Sequence, residues 1–296
     1  GTPLTAMALS AQLLDRGAPR LLVVADLHGM IHFFDRSGKL LHSFNGTVSE
    51  GVNITAIGIG SRDDPFLATA STDGKVSVYN LSLSKAPKGS KGGTNAAPQN
   101  LSVTLTATIE PTEADDGRAV SVECLDIFTR GRRSTIVSSD TLGFVRTHHR
   151  NGTLKNTVQL ADRVSATART GAQFAVAAEG AVLVLELAKS SATPLRCNRS
   201  AASDSNAPAP LDVMSLAWDV QLPQLLYAGT AQGEVLIFNT KARTRVPATN
   251  TSEARTMTTC KLVQELSGHE AMPLSLAAIR GYLLSASPQL LAAHNV

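Results

Sequence analysis

The chain has 296 residues, of which 43% are hydrophobic and 17% charged. This composition excludes wholesale disorder, and a net charge of +3 is too small to indicate nucleic-acid binding. Three cysteines exclude a fold built on disulfides, and no apolar run approaches the ~18 residues of a membrane-spanning helix. Because position 1 is not Met, we expect the chain to be part of a longer protein.

A short pattern recurs along the chain. Each copy has an apolar run, a glycine and a second apolar run, and a sixth copy has Gln289 at the glycine position. The period-2 alternation of the runs predicts β-hairpins, with the glycine supplying positive φ in the turn. The five glycines are Gly29, Gly74, Gly143, Gly180 and Gly233.

Further apolar runs precede and follow most hairpins, so each repeat predicts four short antiparallel strands. Such units at about 40–50 residue spacing indicate an all-β fold, a β-propeller in a single domain over residues 1–296. We expect Val23, Ala68, Val137, Val176 and Leu226 in buried second strands. The sixth blade stops at its third strand, which leaves six and seven blades open. The predicted blades cover residues 3–46, 53–110, 119–160, 163–198, 211–267 and 272–296.

Nearly the whole chain resembles the WD40-repeat family, and two segments carry the resemblance. Ile54–Asn80 has an apolar strand, an Asp73-Gly74 turn and an aromatic–polar pair, and Gly268-His269 matches the family's Gly-His pair. The resemblance implies a WD40-like propeller that scaffolds protein partners. It also implies a top face, formed by the turns between second and third strands, and a bottom face, formed by the other loops within each blade.

The two predicted faces differ in charge. The top turns carry four acidic residues, which we call the hairpin carboxylates, and these are candidates for a binding face: Asp26, Asp73, Asp140 and Glu179. The alternative is a purely structural role, in which each carboxylate braces its own hairpin through hydrogen bonds to the backbone. The alternative binding face is the basic bottom, which carries Arg16, Arg62, Arg130, Arg132, Arg133, Arg169 and Arg280.

No sequence pattern predicts catalysis or a metal site. The chain has neither G-x-S-x-G nor H-E-x-x-H. His148 and His149 are adjacent on a predicted strand and would point to opposite faces, so they cannot easily share an ion. We expect no enzyme activity, cofactor or metal. A propeller enzyme or small-ligand binder stays an alternative, and it would require the hairpin carboxylates to converge at a central channel.

The cysteines do not decide between an oxidising and a reducing compartment. Cys197 and Cys260 lie in or beside predicted outer strands of consecutive blades, and they could bridge in an oxidising compartment. Cys124 falls in a first strand and is predicted to be a buried thiol. The polar segment Lys241–Thr259 is predicted to be a surface loop between a third and a fourth strand.

Asparagine is distributed unusually. Seven of the 12 asparagines begin N-x-[ST], the acceptor pattern for N-glycosylation, although about two are expected from the content of Ser and Thr. Crowding of Asn, Gly, Ser and Thr in turns would also raise the count. The seven candidate glycosylation sites are Asn45, Asn53, Asn80, Asn100, Asn151, Asn198 and Asn250.

These patterns predict a non-enzymatic scaffold that binds protein partners. We expect it in the lumen of the secretory pathway or outside the cell, as an N-glycosylated domain of a secretory-pathway or membrane-anchored protein. Membrane attachment would come only through parts outside this chain, and we expect no nucleic acid or small-molecule ligand. The alternative is a cytosolic scaffold or trafficking adaptor whose basic face docks an acidic partner.

Overall fold

A computed structural model shows two compact units, residues 1–158 and 159–296. No helix in the described part of the chain is long and apolar enough to cross a membrane. The structure describes residues 4–9, 21–35, 37–46, 51–61, 64–83, 101–111, 120–130, 133–171, 173–186, 194–199, 210–219, 221–246, 255–267, 269, 275–279, 282–287 and 290–295.

The first unit contains three sheets of four antiparallel strands, and the strands of each sheet follow one another in chain order. The first sheet contains β1 (Leu4–Leu9), β2 (Leu22–Asp26), β3 (Met30–Phe34) and β4 (Leu40–Asn45). The second contains β5 (Ile54–Ile59), β6 (Phe66–Ser71), β7 (Val76–Leu83) and β8 (Leu101–Ile109). The third contains β9 (Val122–Arg130), β10 (Arg133–Asp140), β11 (Phe144–His149) and β12 (Leu154–Gln159).

The second unit contains two sheets of four strands and one of three, again in chain order. The fourth sheet contains β13 (Ala166–Thr170), β14 (Gln173–Ala178), β15 (Ala181–Glu186) and β16 (Leu195–Cys197). The fifth contains β17 (Val213–Trp218), β18 (Leu225–Thr230), β19 (Val235–Val246) and β20 (Arg255–Leu266). The sixth contains β21 (Ser275–Ile279), β22 (Tyr282–Ala286) and β23 (Leu291–Asn295).

The six sheets confirm the predicted all-β fold class built from propeller-type blades. In each unit the first strands of consecutive sheets lie next to one another, so β1, β5 and β9 are neighbours, as are β13, β17 and β21. The sixth sheet has three strands among the described residues, as the repeat pattern predicted. Each sheet lies within the range expected for a blade, while the assignment of residues 1–296 to a single domain stays a prediction.

The hairpin turns depend on glycine, as predicted. All five repeat glycines have positive φ, between 64° at Gly180 and 86° at Gly233. At Gly74 a Cβ atom would also lie 2.4 Å from the Val120 carbonyl oxygen, so any side chain there would clash with the backbone before the third sheet.

The core lies between the faces of consecutive sheets. The five residues expected in buried second strands are all fully buried. In the second unit, Trp218 and Phe238 pack with Val182 in one cluster, so Trp218 is a core residue. Packing of second- and third-strand side chains against the next sheet therefore holds the sheets together within each unit.

The prediction of a loop over Lys241–Thr259 is wrong at both ends. Strand β19 continues to Val246 and β20 begins at Arg255, and the two remain paired from Ala242↔Thr259 to Val246↔Arg255. Threonine, valine and arginine alternate here, and β-branched residues suit an extended hairpin even when it is polar. The ladder shifts register between Asn239 and Ala242, where the hairpin extension begins.

Candidate functional site

Two of the hairpin carboxylates brace their own turns. Asp26 Oδ1 accepts hydrogen bonds from the N–H groups of His28 (2.9 Å) and Met30 (3.0 Å). Asp140 Oδ1 likewise accepts from Leu142 and Phe144, both at 3.0 Å. Each aspartate stands three residues before its turn glycine, so the repeat places the same brace in the first and third sheets. This confirms the bracing interpretation for both residues.

The second oxygen of each of these carboxylates contacts a basic side chain. Asp26 Oδ2 lies 3.4 Å from His32 Nε2, and Asp140 Oδ2 accepts a hydrogen bond from Arg146. Burial alone would raise the pKa of Asp26, but hydrogen bonds from Met30, His32 and His28 outweigh it and lower the pKa. Asp26 is 7% exposed and Asp140 1% exposed, so neither is placed to contact a partner directly.

His32 extends the Asp26 contact to a third strand. Its Nδ1 lies 2.8 Å from Ser43 Oγ. Asp26, His32 and Ser43 are therefore linked in one series of hydrogen bonds. These are the residue types of a nucleophilic triad. However, His32 and Ser43 are directly opposite in the β3–β4 ladder, and Asp26 also holds its turn. The geometry therefore supports a brace across three strands.

The other two hairpin carboxylates are half-buried and also engaged. Asp73 Oδ1 accepts from Ser71 Oγ and from the Lys75 N–H at 3.3 Å. Glu179 has φ of 54°, a backbone conformation that is uncommon for a residue with a side chain. Its Oε1 accepts from the Ala161 N–H (2.7 Å), and its Oε2 accepts from Arg196 (3.2 Å). All four hairpin carboxylates thus have local structural partners.

The arginines predicted for the basic face are only partly described. Arg133 is exposed at the start of β10, and Arg169 is half-exposed on β13. Arg130 ends β9, and its side chain is not described. A shared basic surface therefore stays a prediction. The remaining four, Arg16, Arg62, Arg132 and Arg280, lie outside the described residues.

An ion pair between the second and third sheets was not predicted. Arg150 donates to Asp64 through one nitrogen and to Asn80 Oδ1 at 2.7 Å through another. Its guanidinium also lies 5.1 Å from the centroid of the Phe66 ring. Asp64 and Arg150 are separated by 86 positions in the chain, so no local pattern could have paired them.

A buried carboxylate in the fifth sheet was also missed. Asp219 directly follows β17, and its Oδ2 accepts a 2.6 Å hydrogen bond from the hydroxyl of the fully buried Tyr227. Its Oδ1 accepts from the N–H groups of Gln221 and Leu222, both at 2.7 Å. Burial alone would raise the pKa of Asp219, but these three hydrogen bonds outweigh it and lower the pKa. The pattern Trp218-Asp219 was the available signal.

A cavity of about 290 Å³ lies between the second and third sheets, and His148 lines it with Asp140 and Arg146. His148 is 4% exposed, whereas His149 on the same strand is exposed, in agreement with the predicted opposite orientations. Burial, and to a lesser degree Arg146, lower the pKa of His148 to about 4. The imidazole is therefore neutral near pH 7. Because Asp140 is fully engaged, these groups do not form an available acid–base pair.

A groove of about 550 Å³ lies beside the Glu179 turn in the second unit. Its apolar lining includes Leu211 and Met214, and its acidic lining includes Asp162 and Asp212 in addition to Glu179. Asp162 and Asp212 are exposed, and Arg163 is the one basic residue on the described lining. The groove can accept an apolar segment that carries positive charge.

His269, from the Gly-His pair, braces the sixth sheet. Its Nε2 lies 2.6 Å from Ser285 Oγ, and the same hydroxyl lies 3.0 Å from His294 Nε2. Ser285 is fully buried, so the hydrogen bonds that it makes link β22 to β23 and to His269 in the interior. In the described part of the chain, no group of three or more His, Cys, Asp or Glu side chains could hold a metal ion.

Cys197 and Cys260 form a disulfide, with their Cα atoms 5.0 Å apart. The bond joins β16 to β20, the last strands of two consecutive sheets in the second unit. Cys197 is fully buried in the cluster that also contains Trp218. Cys124 keeps its thiol and is half-buried rather than fully buried as predicted.

The candidate glycosylation sites have different surroundings. Asn45 and Asn151 are exposed, whereas Asn53, Asn80 and Asn198 are half-buried. Asn80 is the one bonded to Arg150. The glycosylation of all of them stays a prediction. Asn100 and Asn250 lie outside the described residues.

Comparison with known proteins identifies the fold. No family model and no curated protein matches the sequence. By structure, 1267 solved chains match, and one of them is Sqt1 of Saccharomyces cerevisiae, a WD40 propeller. The TM-score is 0.62 over 93% of this chain and 68% of Sqt1. The fold is that of a WD40-like β-propeller. At 12% sequence identity, the likeness shows the fold alone.

Proposed function

We propose that this WD40-like domain is a non-enzymatic scaffold that binds protein partners in the lumen of the secretory pathway or outside the cell. The observation that carries this proposal is the Cys197–Cys260 disulfide between consecutive sheets. Structural disulfides form and persist in oxidising compartments and are rare in the reducing cytosol. The seven N-x-[ST] sequences support the same location, because N-glycan acceptors are used in secreted proteins.

The engagement of the hairpin carboxylates supports a non-enzymatic role. Asp26 and Asp140 each use one oxygen for two backbone N–H groups and the other for a basic side chain. Asp73 and Glu179 also have local partners. A general acid or base must be within reach of a substrate proton and available to exchange it. Carboxylates engaged in this way stabilise turns instead.

The groove beside Glu179 is the surface on which we expect a partner. Its apolar lining can bury side chains of a docked segment, and its exposed carboxylates favour lysine or arginine at the edges. The proposed binding face is still acidic, but it is centred on the groove beside Glu179. Asp26 and Asp140 are too buried to take part, whereas Asp162 and Asp212 lie beside Glu179.

The location is tested in the cells that make the protein. An epitope tag is added at the chromosomal locus, and antibody access is compared in cells permeabilised at the plasma membrane alone and at all membranes. A lumenal domain is reached only after all membranes are opened. Access in intact cells would place the domain outside the cell, in agreement with the proposal. Access that is absent in intact cells and appears when only the plasma membrane is opened would contradict the proposal and favour the cytosolic adaptor with a basic face.

Binding and catalysis are tested separately. Partners cross-linked to the full protein are quantified for the wild type, Asp212→Lys and the control Glu110→Lys, which makes the same charge change at the exposed residue that follows β8. We expect capture to fall only for Asp212→Lys.

A fluorophosphonate probe tests for catalysis, and it should leave Ser43 unlabelled. Labelling of Ser43 that requires His32 would refute the non-enzymatic role.

A further inference from the structure

Two neighbouring polar residues in the turn between β11 and β12 have different surroundings. Arg150 reaches towards the second sheet, where it bonds Asp64 and Asn80. Asn151, the next residue, is exposed and begins the sequence Asn151-Gly152-Thr153. Asn80 is thus bonded to Arg150, and Asn151 follows Arg150 in the chain, but Asn151 is exposed whereas Asn80 is half-buried.

The Asn151 carboxamide is held by its oxygen alone. Its Oδ1 accepts a 3.2 Å hydrogen bond from the Thr153 N–H, so the asparagine braces its own turn. Within the described residues, no hydrogen bond involves the Asn151 Nδ2. Gly152 has φ of 86°, and Thr153 is exposed. The nitrogen that would carry a substituent is thus free to project into solvent without loss of the turn.

The Asn80 carboxamide is likewise held through its oxygen, but it is half-buried and its partner belongs to the neighbouring sheet. It stands within β7, paired with Phe66 on one side and Thr104 on the other. Its oxygen accepts from Arg150 at 2.7 Å, beside the Arg150–Asp64 ion pair between the second and third sheets. A large substituent on the nitrogen of this half-buried amide would crowd the guanidinium and disturb its pair with Asp64, which is 9% exposed.

We propose that Asn151 carries an N-linked oligosaccharide in the mature protein and that Asn80 stays unmodified. This inference rests on the proposed lumenal location. In the transfer, Nδ2 of Asn151 forms a bond to the anomeric carbon of a polyprenyl-diphosphate-linked oligosaccharide. The bond from that carbon to the diphosphate oxygen breaks, the polyprenyl diphosphate leaves, and the amide nitrogen loses one proton.

Modification at Asn151 also has a structural consequence. The oligosaccharide would extend from the β11–β12 turn, at the opposite end of β11 from the braced Asp140 hairpin. A protein partner would therefore be kept away from this turn. The oligosaccharide would not cover the end of the third sheet that carries the Asp140 hairpin.

The test uses the full protein, produced through the secretory route. Its intact mass is measured, and its peptides are then analysed by mass spectrometry after a peptide N-glycosidase has converted each glycosylated asparagine to aspartate in ¹⁸O-water. Thr153→Ala and Ser82→Ala each remove one acceptor sequence without altering its asparagine. Thr153 and Ser82 are both exposed. We expect Thr153→Ala to lose the mass of one oligosaccharide, Thr153→Ser to retain it, and Ser82→Ala to match the wild type.

Two results would overturn the inference. One is secreted protein that contains the Cys197–Cys260 disulfide but has unmodified Asn151, which would leave the proposed location intact. The other is an oligosaccharide on Asn80 in correctly folded protein. Failure of the proposed location is recognised differently, because the protein in its own cells would then be accessible from the cytosol.

Discussion

Replacement of Asp140 by alanine should destabilise the first unit strongly. The substitution removes the acceptor of two 3.0 Å hydrogen bonds from the turn and the partner of Arg146. The Asp140 side chain is 1% exposed and that of Arg146 13% exposed, so water cannot readily replace the lost contacts. Breaking a buried pair by removing one partner costs about 3–5 kcal/mol. This is a large fraction of the ~5–15 kcal/mol that stabilises a typical domain.

Urea unfolding, followed by circular dichroism, measures this loss as a change in the free energy of unfolding. Asp140→Asn keeps an oxygen for the turn and should cost less than Asp140→Ala. Arg146→Met, combined with each Asp140 variant, isolates the charged contact. We expect a coupling energy of about 1–3 kcal/mol between the two positions.

Asp73→Ala is the matched control in the second sheet. Asp73 is half-buried, and its one backbone hydrogen bond is longer, at 3.3 Å, so we expect a loss of about 0.5–1.5 kcal/mol. Equal costs for Asp73→Ala and Asp140→Ala would refute the argument from burial. A cost below about 1 kcal/mol for Asp140→Ala would show that the brace does not stabilise the fold.

Three further variants test other parts of the structure. Replacing Cys197 and Cys260 by serine opens a loop of 63 residues and should lower the free energy of unfolding by about 4 kcal/mol in denaturant titrations; an unchanged midpoint would contradict this. The pKa of His148 is about 4 in the folded state, against about 6.5 in an unfolded chain, so its contribution to stability is complete above pH 6.5 and is lost as the pH falls towards 4. His148→Phe should therefore flatten the dependence of Tm on pH in that window. An unchanged slope would mean that other groups cause this pH dependence. Leu226→Ala should cost about 2–5 kcal/mol, whereas the exposed Leu222→Ala should stay within about 0.5 kcal/mol, as measured by thermal unfolding; similar costs would contradict the assigned core.

The blades could be predicted because their signals are local. Alternating apolar residues set the strands, and glycines such as Gly74 and Gly233 marked the turns, where positive φ is required. Bracing by aspartates next to those turns could also be predicted, because the acceptor and donors lie within four residues. Local chemistry that repeats along the chain is therefore readable without a structure.

Contacts between distant segments could not be predicted in the same way. Asp64 and Arg150 meet only after two sheets pack, and the packing of β16 against β20 decides whether Cys197 reaches Cys260. The extension of β19 into a polar segment was missed because the composition resembled a loop. Charge on predicted loops was also an incomplete guide, since Asp140 proved buried by packing around its turn.

The redox state of Cys197 and Cys260 in the cells that make the protein tests the central claim most directly. Cells are quenched in acid, thiols are blocked with one alkylating reagent, and disulfides are then reduced and labelled with a second, isotopically distinct reagent. Cys124, which keeps its thiol, is the internal control for the first step. The account predicts that Cys197 and Cys260 acquire the second label and that their peptides are joined before reduction. First-step labelling of both cysteines in the steady-state protein would contradict it.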